Sequence, residues 1–144
     1  MVEALERSPD GGATLNARDI MNRPVVAAAP MTTARDIAIQ LLMGGYSGLP
    51  VTDRSGAVTG IVSELDVIRA IRAGKALEST TAEEIMSREV VSVDVGASVE
   101  QVMELLDTKH FVRLPVTDEG KLVGVISRPD VLRAFIEPKF MTFS

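Results

Sequence analysis

Leu49-Pro-Val-Thr-Asp53 and Leu114-Pro-Val-Thr-Asp118 are the same five residues written twice in a chain of 144. Working outward from them, Ala17-Arg-Asp-Ile-Met-Asn-Arg-Pro-Val-Val26 aligns with Ala82-Glu-Glu-Ile-Met-Ser-Arg-Glu-Val-Val91 at the same spacing of 65 residues. On the other side one residue is lost, where Arg54-Ser-Gly-Ala57 faces Glu119-Gly-Lys121. The spacing is then 64, and Gly60-Ile-Val-Ser-Glu-Leu-Asp-Val-Ile-Arg-Ala70 matches Gly124-Val-Ile-Ser-Arg-Pro-Asp-Val-Leu-Arg-Ala134. The length change falls at a glycine-containing turn, where an insertion costs least. An internal repeat of this kind is a duplicated structural unit.

Each repeat predicts the order helix–strand–helix–strand–strand–helix. Short helices are expected over 17–21 and 82–86, followed by short strands over 25–27 and 90–92. Ile37, Leu41 and Leu42, and then Val99, Val102, Met103 and Leu106, recur at helical spacing. Paired strands are expected over 49–52 and 58–62, and over 113–117 and 122–126. Closing helices are expected over 65–72 and 129–135. The fold class is therefore mixed α/β (α+β), with two repeats. Strands this short, apolar on both sides, need cover on both faces, and about 60 residues with few aromatics bury only a small core. The halves are expected to pack on each other about a pseudo-twofold axis, leaving two equivalent clefts.

Composition narrows the function. Hydrophobic residues are 46% and charged residues 24%, a globular balance. Aromatics are 3%, so the core is aliphatic. The net charge of −5 disfavours general binding to nucleic acid. With no Cys, disulfides, thiolate zinc sites, iron–sulfur clusters and Cys nucleophiles are excluded together. A single His, His110, argues against a His-dependent triad or a multi-His metal site. No run of apolar residues is long enough to span a bilayer. Residues 1–13 carry Glu3, Glu6, Arg7 and Asp10 without an apolar core, which is not a signal peptide. A cytoplasmic chain without membrane association is expected.

The ordered set of motifs, present twice, resembles a tandem pair of cystathionine-β-synthase-type (CBS) domains, a Bateman module. Its carriers are the Ile-Met opening, the Leu-Pro-Val-Thr-Asp strand and the Gly-apolar-apolar-Ser-x-x-Asp segments at 60–66 and 124–130. The resemblance spans residues 17–135. It divides the chain into a flexible N-terminal segment (1–15), CBS domain 1 (16–73), a linker (74–80), CBS domain 2 (81–136) and an apolar tail (137–144). That tail is expected to pack on a partner surface. No catalytic domain accompanies the pair, which in this resembles a stand-alone member of the family.

The resemblance implies an adenosine-containing ligand in the clefts between repeats: AMP, ADP, ATP or a related adenosyl compound. It implies a regulatory role without catalysis, no required cofactor beyond the adenine nucleotide as regulatory ligand, and a homodimer. In the family the Asp of Ser-x-x-Asp holds the ribose hydroxyls, and the Ser lies near the phosphates. These roles carry over to Asp66 with Ser63 and to Asp130 with Ser127. The first strand offers backbone groups to adenine, here Val26 and Ala27 or Val91, Ser92 and Val93. The segment running into Leu-Pro supplies Tyr46, Ser47 and Pro50 at the first site. At the second it supplies Phe111, Arg113 and Pro115, with Arg128 at the helix start. An ionised carboxylate accepts both hydroxyls of a cis-diol, and charge-assisted bonds contribute about 1.5–3 kcal/mol. Ser-x-x-Asp is equally a helix N-cap signature, and the two roles coexist at one residue.

The two sites differ. Lys109-His-Phe-Val-Arg113 stands opposite Gly44-Gly-Tyr-Ser-Gly48, and Arg128 stands opposite Glu64. The second motif is therefore expected to be the tighter, phosphate-bearing one. The glycines of the first motif let a ligand approach the backbone, or simply end the helix. Gly-x-Ser-x-Gly, the P-loop and Gly-x-Gly-x-x-Gly are absent from the sequence. The leading reading is a ligand sensor signalling to a regulated protein. The alternative is a ligand-free interaction or stress protein of the same fold.

Overall fold

A computed structural model describes residues 15–23, 25–108, 111 and 113–137. Lys109, His110, most of the N-terminal segment and nearly all of the apolar tail lie outside the described residues.

Short local signals start the helices. In α1 (Ala17–Ile20) the Asp19 carboxylate accepts the Asn16 backbone N–H at 2.8 Å. In α2 (Ala34–Gly44) the Thr33 hydroxyl accepts the Asp36 N–H at 3.1 Å, and Gly45 ends the helix at φ 69°. That left-handed conformation is open to glycine at no steric cost. The strands β1 (Gly48–Thr52) and β2 (Val58–Ser63) are antiparallel. Their register slips between Val51, opposite Gly60, and Thr52, opposite Val58, and the Thr59 hydroxyl donates to the Val51 carbonyl at the bulge. Next come α3 (Glu64–Arg72) and α4 (Ala82–Ile85), where Glu84 caps the Thr81 N–H at 2.8 Å. The second repeat continues with β3 (Val93–Asp94), α5 (Val99–Thr108), β4 (Arg113–Asp118), β5 (Lys121–Ser127) and α6 (Arg128–Ile136). Its sheet has the order β3-β4-β5, with β3 parallel to β4.

The expected first strands differ from those observed. Residues 25–27 and 90–92 are not strands; the pairing lies further along, at Ala28 and at Val93–Asp94. Ala28 forms a single parallel bridge to Val51, as Val93 pairs with Val116. The second ladder continues because the Val95 N–H donates to the Thr117 carbonyl at 2.9 Å. The equivalent position in the first repeat is Pro30, which has no N–H to give, so that ladder stops after one residue.

Two compact units result, and each draws on both repeats. Among the described residues, one comprises 15–25, 91–119 and 123–137, and the other 26–90 and 120–122. In the first, Ala17 and Ile20 of α1 are buried with Val99, Val102, Leu114, Val116 and Ile126. In the second, Ala82 of α4 is buried with Ile37, Leu49, Val51 and Val62. The opening helix of each repeat thus completes the core built mainly from the other.

The motifs that open and close the repeat explain one another. Asn22 bridges Val125 and Ser87 bridges Ile61 through backbone hydrogen bonds. At Gly60, a Cβ would collide with the Met86 sulfur and stand 2.9 Å from the Ser87 carbonyl oxygen. At Gly124 a Cβ would lie 2.5 Å from the Met21 sulfur and 3.0 Å from the Asn22 carbonyl. The Ile-Met of one repeat needs the glycine of the other.

Candidate ligand-binding site

In each unit a strand ends at a serine and a helix begins on the next residue. At the first corner, the Ser63 N–H and hydroxyl both reach Asp66 Oδ2, at 2.8 and 3.0 Å, and the Asp66 N–H donates back to the Ser63 hydroxyl at 3.3 Å. At the second, the Ser127 N–H and hydroxyl reach Asp130 Oδ2 at 2.7 and 2.9 Å. Both acids therefore cap their helices, and the cap fixes each carboxylate at the strand's carboxyl end.

The remaining oxygens separate the two. Asp66 keeps 15% of its side chain exposed, and among the described residues Oδ1 meets only Arg69, at 3.9 Å. Asp130 is 2% exposed at the side chain. The Asn22 side-chain amide donates to both of its oxygens at 2.7 Å, and Arg133 closes on Oδ1. A carboxylate has about four lone-pair positions, and four donor groups already meet Asp130: the Asn22 amide nitrogen, the Ser127 N–H and hydroxyl, and the Arg133 guanidinium. Neither Asn22 nor Arg133 was singled out by sequence. The available signal was the Ile-Met-Asn22 of the first repeat against the Ile-Met-Ser87 of the second.

Other residues expected at the sites fall into three groups. Pro50 and Pro115 are buried within β1 and β4, and the Pro50 carbonyl already accepts the Ala28 N–H at 2.9 Å. Val93 is a core residue, and Val26, Tyr46, Val91 and Phe111 pack at the margins of the two cores. Ala27 is half-buried, as is Arg113 at the start of β4, whereas Ser47 and Ser92 are exposed. Gly44 leaves room that a Cβ would take from the Tyr46 ring. Arg128 is exposed and lines an open groove of about 420 Å³ with Met103, Leu106, Asp107, Val131 and Leu132. Asp130 does not line that groove.

The family profile of the CBS domain matches residues 17–73 and 82–137, both repeats in full. The chain belongs to the CBS domain family. An uncharacterized protein of Methanopyrus kandleri is 29% identical over 87% of this CBS chain, which spans 64% of that relative's length. Hypoxic response protein 1 of Mycobacterium tuberculosis is 27% identical over 88% of the chain and 90% of its own. A solved structure of Hypoxic Response Protein I with two coordinated zinc ions superposes with a TM-score of 0.76 at 28% identity, covering 83% of this chain and 98% of that one. CBSX2 in complex with AMP gives 0.76 at 27% identity, covering 86% and 98%. The CBS pair of MJ0100, in complex with 5′-methylthioadenosine and S-adenosylmethionine, gives 0.73 at 26% identity, covering 84% and 95%. Among the described residues of this CBS pair, no three His, Cys, Asp or Glu side chains gather as an ion would require. No described helix is long and apolar enough to cross a membrane.

Proposed function

We propose that this CBS pair is a non-catalytic sensor that binds an adenosine-containing compound at its serine–aspartate corners and passes the bound state to a partner protein. The ligand class comprises AMP, ADP, ATP and related adenosyl compounds. The observation that carries this reading is the Asp66 carboxylate. One oxygen is saturated by Ser63, while the other has its nearest partner among the described residues 3.9 Å away and retains acceptor capacity for a ribose hydroxyl. The complexes of CBSX2 with AMP and of MJ0100 with adenosyl compounds support the same class. Arg113 and Arg128 are the residues of the second motif proposed to meet phosphate whenever a ligand occupies that corner.

Exposed apolar side chains support a homodimer. Leu65, Ile68 and Ile71 follow one another at helical spacing on α3 and are each at least 50% exposed. Leu132 and Ile136 on α6 are 63% and 71% exposed. Faces of this kind mark association surfaces.

A thermal-shift screen against AMP, ADP, ATP, S-adenosylmethionine, 5′-methylthioadenosine, NAD and a short oligonucleotide tests the reading. A ligand at 100 times its dissociation constant adds about 2.7 kcal/mol of stability, a readily measured rise in Tm. At least one adenosyl compound stabilises the chain and the oligonucleotide does not. No shift with any adenosyl compound at millimolar concentration would overturn it. ATP remains unhydrolysed throughout; turnover that co-purifies with the chain would contradict the non-catalytic role.

A further inference from the structure

We propose that Asn22 is the residue that decides which corner takes a ribose diol, because its side-chain amide and Arg133 occupy Asp130 while Asp66 is left open. The proposal rests on the adenosyl reading above and adds which site works in the resting chain. Asn22 lies in the same compact unit as Asp130. It is carried there by the segment that follows α1, whose backbone pairs with Val125 two residues before Ser127. That pairing sets the Asn22 amide nitrogen 2.7 Å from both carboxylate oxygens, so one N–H, shared between them, stands where the ribose hydroxyls would donate.

The first corner has the same backbone arrangement without the latch. Ser87 pairs with Ile61 as Asn22 pairs with Val125. Among the described residues, no Ser87 side-chain bond to Asp66 replaces the amide contact, and the arginine at the equivalent position, Arg69, stands off at 3.9 Å. The contrast in basic residues between the motifs bears on phosphate, whereas the contrast between Asn22 and Ser87 bears on the ribose. A diol enters the second corner only by displacing an amide whose nitrogen lies 2.7 Å from both oxygens of a buried carboxylate.

Isothermal titration of the full chain with AMP and, separately, with 5′-methylthioadenosine tests this. The wild type takes one equivalent per chain. Asp66→Asn weakens that site by about 10- to 150-fold, the loss of a charge-assisted contact. Asn22→Ser, which copies the residue of the other repeat, raises the stoichiometry to two. On the wild type, the Asn22 side-chain amide resonances stay in place when AMP saturates the chain, a measurement that needs no variant to fold. The proposal alone is overturned if binding is intact in Asp66→Asn and lost in folded Asp130→Asn, or if saturation displaces the Asn22 amide resonances. It is equally overturned if folded Asn22→Ser still takes one equivalent. Absence of binding by both the wild type and folded Asn22→Ser overturns the adenosyl reading and this proposal with it.

Discussion

Asn22 donates its side-chain amide to both oxygens of Asp130 across 108 residues of chain. The contact ties the segment behind the first repeat's opening helix to the closing helix of the second. It also makes Asp130 a buried acid whose partners are all supplied by the protein, whereas Asp66 is a cap with an oxygen to spare.

That difference has a thermodynamic consequence. Asp130→Ala removes a helix cap and the carboxylate contacts of Asn22 and Arg133, which are solvent-accessible and return to water. It is expected to cost about 1–3 kcal/mol. Asp66→Ala loses mainly the cap, about 1 kcal/mol. Urea unfolding of the two variants side by side checks the ordering, and equal losses would contradict it.

Gly60→Ala and Gly124→Ala each place a methyl group against a methionine sulfur and a carbonyl oxygen of the opposing segment. Overpacking of this kind costs about 1–3 kcal/mol. The paired substitution Gly60→Ala with Met86→Ala relieves the sulfur contact but leaves the Ser87 carbonyl at 2.9 Å. Only partial rescue of the thermal midpoint is expected.

Ile68→Glu and Leu132→Glu put a charge on the exposed faces of α3 and α6. Sedimentation equilibrium is expected to report a dimer for the wild type and a monomer for the double variant, with unchanged circular dichroism. A wild type that sediments as a monomer at tens of micromolar, on the order of a weak dimer's dissociation constant, would remove the homodimer.

The turn between β1 and β2 is expected to loosen in acid. Asp53 Oδ1 accepts the Ser55 hydroxyl at 2.6 Å, the Ser55 N–H at 2.9 Å and the Ala57 N–H at 3.1 Å. The Ser55 hydroxyl, followed by the Ala57 N–H, holds the Asp53 carboxyl below its ordinary 3.8. A carboxyl that is a stronger acid when folded supports the fold above its unfolded pKa, and that support is lost as pH falls through the folded value. Protection factors at the Ser55 and Ala57 amides, corrected for the pH dependence of intrinsic exchange, should fall as pH drops below 3.8 in the wild type, and in Asp53→Ala they should be low and independent of pH.

Within the sequence, duplicated motifs and helical spacing were enough to establish two repeats, their order of elements and the family to which they belong. These are local signals: an Asp or Glu three residues into a helix, apolar side chains at three- and four-residue spacing, a tight turn between strands. Pro30 carried a signal that the expected strand over 25–27 did not use: a residue without an N–H ends a ladder wherever it lies. Which helix completes which core was decided by tertiary structure. Ile-Met in one repeat and Gly in the other carry no mark of the contact, since a glycine reads as a turn residue until a sulfur is found over it. The same holds for the serine–aspartate corners. Their sequences are nearly alike, and both read as cap and as ligand contact. Only the long-range approach of Asn22 to Asp130 distinguishes a saturated carboxylate from an open one, because acceptor capacity depends on donors brought from elsewhere in the chain.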